Sequence, residues 1–173
     1  MYHMIQKSTQ FKVIEVFFKE PTAIHFIREI SKKIKIAPTS VRLNIKNLLK
    51  EGLIIKKKSN PFDGYIGNRE NDRFLFCKRA YNLYNLYELK EKIINLLHPK
   101  AIILFGSYAI GEDIESSDID LIILSKIRKD IDFSTIEKDV QRKINIMIIE
   151  NLNKLDENIK NKVINGVILY GGI

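Results

Sequence analysis

The chain has 173 residues, a mass of 20.2 kDa and 45% hydrophobic residues, enough apolar material for one domain or two small ones and too much for a wholly disordered chain. No apolar run approaches the roughly 20 residues of a membrane helix: the longest candidate, Ala101 to Ile110, is broken by Gly106 and Ser107. The opening MYHMIQKSTQFKV lacks the charged-then-apolar pattern of a signal peptide. The one cysteine, Cys77, excludes an intrachain disulfide and a cysteine-based zinc cluster, and it reads as a small apolar filler in a strand. The expectation is a soluble, cytoplasmic protein.

The net charge of +8 is unevenly spread. Residues 1–78 hold 16 Lys/Arg against 7 Asp/Glu, or +9, and residues 79–173 hold 13 against 14, or −1. A basic half joined to a near-neutral half predicts two domains, 1–78 and 79–173, with the first a candidate for a polyanionic partner.

In chain order, Ser8 and Thr9 suit the cap of a helix through FKVIEVFFK, with Phe11, Ile14, Phe17 and Phe18 on one face. Glu20-Pro21 stops it. A second helix is predicted from about Thr22 to Ile34, with Ile24, Ile27 and Ile30 as its stripe. Pro38 opens a third, Pro38 to Lys50, ending at Gly52. Val41, Ile45, Leu48 and Leu49 form the buried face of this third helix. Its other face carries Thr39, Leu43, Lys46, Asn47 and Lys50, flanked by Ser40 and Arg42. Short polar and basic side chains of this kind can reach base edges and phosphates in a major groove. LIIKKK and DRFLFCK then read as paired strands around a turn-rich segment, a hairpin bearing Lys56, Lys57, Lys58, Arg69 and Arg73.

Helix, helix, turn, helix and basic hairpin over residues 8–78 resemble a winged helix-turn-helix domain. The resemblance rests on HFIREISKKIKIAPTSVRLNIKNLLKEGLI. It implies duplex DNA as a partner and, because such regulators are often dimeric, a homodimer. Winged helices also serve as protein–protein modules, and the local charge favours DNA.

Residues 79–97 read as one linking helix, with Tyr81, Leu83, Tyr84, Tyr87, Ile93, Ile94 and Leu97 as its apolar contacts, closed by His98-Pro99. KAIILFGSYAIGEDIESSDIDLIIL comes next. Ala101–Phe105 is an apolar strand, Gly106-Ser107 a tight turn opening a short helix, and Asp118 and Asp120 alternate with Ile119 and Leu121 in a second strand. Residues two apart in a strand share a face, so the two carboxylates project together and can hold Mg²⁺ or Mn²⁺ beside nucleotide phosphates. Gly106 lets a phosphate approach the backbone, and the Ser107 hydroxyl can bind its oxygens. A helix at Phe133–Lys143, a strand INIMII, a helix at Leu152–Asn165 and a short strand GVILYG complete the pattern.

Gly-Ser, ten residues, then Asp-x-Asp in SDIDLIIL resembles the nucleotidyltransferase superfamily that includes DNA polymerase beta, and in particular the minimal nucleotidyltransferases. The resemblance covers about residues 80–173. It implies an α+β chain with a small αβ domain on a mixed sheet, Mg²⁺ as cofactor, and transfer of a nucleoside monophosphate from an NTP to an acceptor hydroxyl. It places catalysis at Asp118, Asp120 and Asn145, metal binding at Asp118 and Asp120, and nucleotide binding at Gly106 and Ser107. Because such proteins often act as antitoxins, it also implies a partner-protein acceptor such as a toxin.

The chain departs from the family pattern in two respects. Asn145 stands where a third carboxylate is expected; it offers a carbonyl oxygen but no charge and cannot act as a base. Tyr108 and Ile110 stand where arginines often come after the Gly-Ser, leaving Lys126, Arg128, Lys129 or Lys143 as substitutes. A transcription regulator with a degenerate, nucleotide-sensing domain is therefore the alternative reading, and an RNA-modifying transferase is a third.

Overall fold

The computed structural model describes residues 8–172; residues 1–7, where a leader pattern was sought, lie outside the described residues. The chain divides between Phe76 and Cys77 into two compact units.

In the first unit, α1 (Thr9–Lys19), α2 (Ile27–Ile34) and α3 (Pro38–Lys50) precede an antiparallel hairpin of β1 (Ile54–Lys57) and β2 (Gly64–Gly67). Val13, Phe17, Ile30, Val41, Ile45 and Leu48 are buried between the helices. Each such aliphatic or aromatic side chain contributes about 1.5–3 kcal/mol on burial. α2 starts later than its sequence suggests. Thr22 to His25 stays out of the helix because His25 exchanges both backbone hydrogen bonds with Tyr65 of the hairpin, at 2.8 and 2.9 Å.

The returning strand of the hairpin is GYIG, not DRFLFCK. Residues Asp72–Asn85 instead form α4, whose first turn is capped by Asn71 Oδ1 accepting from the amides of Arg73 and Phe74. Phe74 is fully buried and tilts against Phe18 at 5.4 Å, while Phe76 is 72% exposed. Gly67 makes room for it: a Cβ there would meet the Phe74 ring at 2.7 Å. Cys77 consequently lies half-buried in a helix, and Arg73 sits on α4 rather than on the hairpin.

In the second unit, α4 ends at Asn85 and α5 (Tyr87–Leu97) begins after a break at the buried Leu86, so the single helix expected over 79–97 is two. Tyr81 is buried, but Tyr84 and Tyr87 are exposed. The mixed sheet runs in the order β5-β4-β3-β6. β3 (Ala101–Phe105) is antiparallel to β4 (Ile119–Leu124) and to β6 (Val167–Gly171), and β5 (Ile144–Ile149) is parallel to β4.

One face packs Ile102, Leu104, Leu121 and Ile123 against α5, the short α6 (Ser107–Ile110) and α7 (Ser134–Val140). The other packs Ile103, Ile122, Leu124 and Ile149 against a 3-10 turn at Leu152–Lys154 and α8 (Glu157–Ile164). The helices expected at 133–143 and 152–165 are thus shorter. Gln141 adopts a left-handed conformation that ends α7, and Asp156 starts α8 by accepting from the amides of Asn158 and Ile159.

Candidate active site

β3 ends where β4 begins, because the two are antiparallel and Phe105 pairs with Asp120. The parallel register then sets Asp120 beside Asn145 on β5. The Gly-Ser turn, the two aspartates and Asn145 therefore collect at one end of the sheet. Asp118 lies one residue before β4 rather than inside it, yet its parity with Asp120 is kept.

Gly106 has φ 76° and ψ −166°, a conformation essentially reserved for glycine. A Cβ on it would stand 3.0 Å from Asp120 Oδ2. The glycine thus serves two ends: it turns the chain into α6 and lets the Asp120 carboxylate lie against the backbone. The carbonyl of Ser107, next in the chain, accepts from the Glu112 amide at 3.0 Å, which closes the turn.

Asn145 Nδ2 donates to Asp118 Oδ2 and to Asp120 Oδ1, each at 3.2 Å. One amide group therefore lies across both carboxylates. Half a turn about its last torsion would present the Oδ1 oxygen there instead. Glu150, one residue beyond β5, is exposed. Among the described residues no group of three or more His, Cys, Asp or Glu gathers as a metal cluster.

A buried polar network behind the turn was not legible in the sequence. Lys78 on α4 pairs with Asp113, and both are almost wholly buried. Asn82 Nδ2 donates to Asp113 Oδ1 at 2.7 Å and to the Tyr108 carbonyl of α6 at 3.0 Å. Arg142, just before β5, reaches Asp113 Oδ2 at 3.5 Å. Burial, reinforced by the Asp113 charge, holds the Tyr108 hydroxyl's pKa well above the ordinary tyrosine value. The network ties α4, the Gly-Ser helix and the start of β5 to one carboxylate.

A cleft of about 680 Å³ opens beside Asp118, lined by Ser134 and Lys138 of α7, by Gln141 just after it and by Lys143. Lys126, Arg128 and Lys129 are exposed in the segment after the far end of β4, and none of them lines this cleft. Ile110, at the end of α6, is 43% exposed.

In the first unit, Thr39, Arg42, Lys46, Asn47 and Lys50 are exposed along α3, with Ser40 half-buried beside them. Lys56, Lys57 and Lys58 are exposed on and after β1, and Arg69 is exposed after β2. Arg73 pairs with Glu51 at 3.4 Å.

No described helix is long and apolar enough to cross a membrane. No curated protein matches the chain. The family model described as polymerase beta, nucleotidyltransferase, matches residues 74–172, which takes in the whole sheet, the Gly-Ser turn and the Asp-x-Asp strand. The chain belongs to the polymerase beta-type nucleotidyltransferase family.

Proposed function

We propose that the protein is a DNA-binding nucleotidyltransferase that moves a nucleoside monophosphate from an NTP to an acceptor hydroxyl. The observation that carries this reading is the meeting of Asp118 and Asp120 on a single amide, Asn145 Nδ2, against the Gly106 backbone.

The residues present fit a divalent cation. Mg²⁺ takes hard oxygen ligands at about 2.0–2.1 Å and is commonly held by one or two carboxylates plus substrate phosphates. Two carboxylates that both reach one nitrogen at 3.2 Å can share a cation after small side-chain rotations. When bound, such an ion neutralises phosphate charge and lowers the pKa of an attacking hydroxyl. Asp118 and Asp120 would hold it, and Asn145 would offer Oδ1 without adding charge. Gly106 keeps the turn free of a side chain, and the Ser107 hydroxyl would donate to a phosphate oxygen. With only two carboxylates, transfer should be slow; Asn145 and the exposed Ile110 support the second reading, a transcription regulator whose nucleotidyltransferase domain senses nucleotide without turnover.

We read the first unit as a winged helix-turn-helix. α3 would enter the major groove through Thr39, Ser40, Arg42, Lys46, Asn47 and Lys50, and Lys56, Lys57, Lys58 and Arg69 would contact phosphates. The exposed polar face of α3 and the +9 charge of residues 1–78 support it.

Calorimetry of NTP binding with and without Mg²⁺ tests the site. Asp118→Asn with Asp120→Asn should abolish the Mg²⁺-dependent part while leaving the thermal unfolding transition in place. Equal NTP affinity with and without the carboxylates would overturn the assignment.

A further inference from the structure

We infer that the cleft between α7 and the start of β5 is the acceptor site, and that it takes a small hydroxyl compound bearing an anionic group. This rests on the nucleotidyl-transfer reading above.

The polar groups stand in a fixed order along the sheet end. The Gly-Ser turn comes after β3, the aspartates lie at the start of β4, and Lys143 and Asn145 lie at the start of β5. Phosphoryl-type transfer brings the attacking and leaving oxygens roughly in line through phosphorus. If the leaving pyrophosphate lies at Gly106 and Ser107, on the β3 side of the aspartates, the attacking hydroxyl must come from the β5 side. That is where the cleft opens, with Asp118 as the wall common to both.

The cleft's size and chemistry choose the occupant. The cleft is wide open to solvent, and its volume of about 680 Å³ admits a small molecule. Lys138 and Lys143 are exposed in it, and Lys143 is the register neighbour of Asp118, because Ile119 pairs with Ile144 and the Ile119 amide donates to the Lys143 carbonyl at 2.8 Å. Two of its other charges are already engaged. Arg142 is held by Asp113, and Glu137 Oε1 accepts from the Ile144 amide at 2.8 Å. Ser134 and Gln141 add neutral hydrogen-bonding groups. Among the described residues no aromatic side chain lines the cleft, which disfavours a nucleic-acid strand, since that needs stacking platforms.

In the step, the acceptor oxygen bonds to the α-phosphorus. The bridging bond between the α-phosphorus and its oxygen to the β-phosphorus breaks, that electron pair leaves with pyrophosphate, and the hydroxyl proton passes to water. Lys138 and Lys143 would bind the acceptor's phosphate or carboxylate and so set its hydroxyl toward Asp118.

The test is amide NMR of the full-length chain titrated with glycerol 3-phosphate, which has both groups, and with glycerol, which lacks the anion. Glycerol 3-phosphate should shift the amides of Ser134, Lys138, Gln141 and Lys143 saturably, and glycerol should not. Lys138→Ala with Lys143→Ala should weaken that binding about tenfold, with NTP affinity by calorimetry changed far less. Three results would overturn the inference: no saturable shift at those amides, an equal loss of NTP affinity in the double variant, or shifts caused by a single-stranded oligonucleotide but not by glycerol 3-phosphate. A wild-type chain that binds glycerol 3-phosphate in the cleft and no NTP at all would keep the anion site and sink the transfer reading instead.

Discussion

Asn145→Asp restores the charge that the site lacks, and its consequences can be worked from the geometry. The new carboxylate would replace an amide that now lies 3.2 Å from both Asp118 and Asp120. Two unit charges about 4 Å apart repel by about 1 kcal/mol in bulk water and by about 4 kcal/mol at an effective dielectric of 20. Asn145 is exposed and the aspartates are half-buried, so the two new repulsions together cost at least about 2 kcal/mol. Proton uptake sets the ceiling. Keeping an ordinary aspartate neutral at pH 7 costs about 4 kcal/mol, beyond which the variant simply binds a proton. Without a divalent cation the variant should therefore lose about 2–4 kcal/mol, which for a unit of this size lowers the melting temperature by roughly 10 °C or more. Mg²⁺ should restore most of that loss, because the third carboxylate that repels its neighbours also strengthens the cation's shell, and the wild type should respond less. Differential scanning calorimetry with and without Mg²⁺ reads both quantities, and labelled NTP turnover should rise in the variant. A melting temperature that Asn145→Asp leaves unchanged in chelator, with no added response to Mg²⁺, would refute the three-residue site.

Gly106→Ala puts a side chain into a glycine-only conformation, costing about 1–3 kcal/mol, and drives its Cβ to 3.0 Å from Asp120 Oδ2; Mg²⁺-dependent NTP affinity should fall about tenfold or more, and unchanged affinity by calorimetry would separate the turn from the carboxylates. Asp113→Ala removes the buried carboxylate that Lys78 and Arg142 share and should cost about 3–5 kcal/mol, whereas Lys78→Met leaves Asp113 its Asn82 and Arg142 partners and should cost less; urea midpoints in the reverse order would contradict the network. Replacing Lys56, Lys57 and Lys58 by Ala should weaken duplex DNA binding across sequences and reduce the salt slope by about 0.9 for each phosphate no longer neutralised; a triple variant with unaltered binding would remove the hairpin from the DNA-binding surface.

Strand β3 was legible because its run AIILF, central in the sheet, is apolar at every position, and burial on both faces of a sheet demands that. The approximate extent of α3 was legible too, since Pro38 and Gly52 mark its ends. α4 was not. DRFLFCK alternates like a strand, but its buried positions are Phe74, Lys78, Tyr81 and Asn82, a helical spacing hidden because two of the four are polar. Those two are tolerable inside only because Asp113, 35 residues beyond Lys78, is there to meet them. The parity of Asp118 and Asp120 is a consequence of strand geometry alone, since alternate side chains must share a face. That Asn145 lies across both of them was decided by the parallel register of β4 and β5, a pairing between residues 25 and 27 apart in sequence. The cleft beside Asp118 is likewise a tertiary fact: the left-handed Gln141 ends α7 early, and the chain turns there to bring Lys143 back to the aspartate. Local periodicity can specify which faces are apolar, but only the packed sheet determines which polar groups share one end of it.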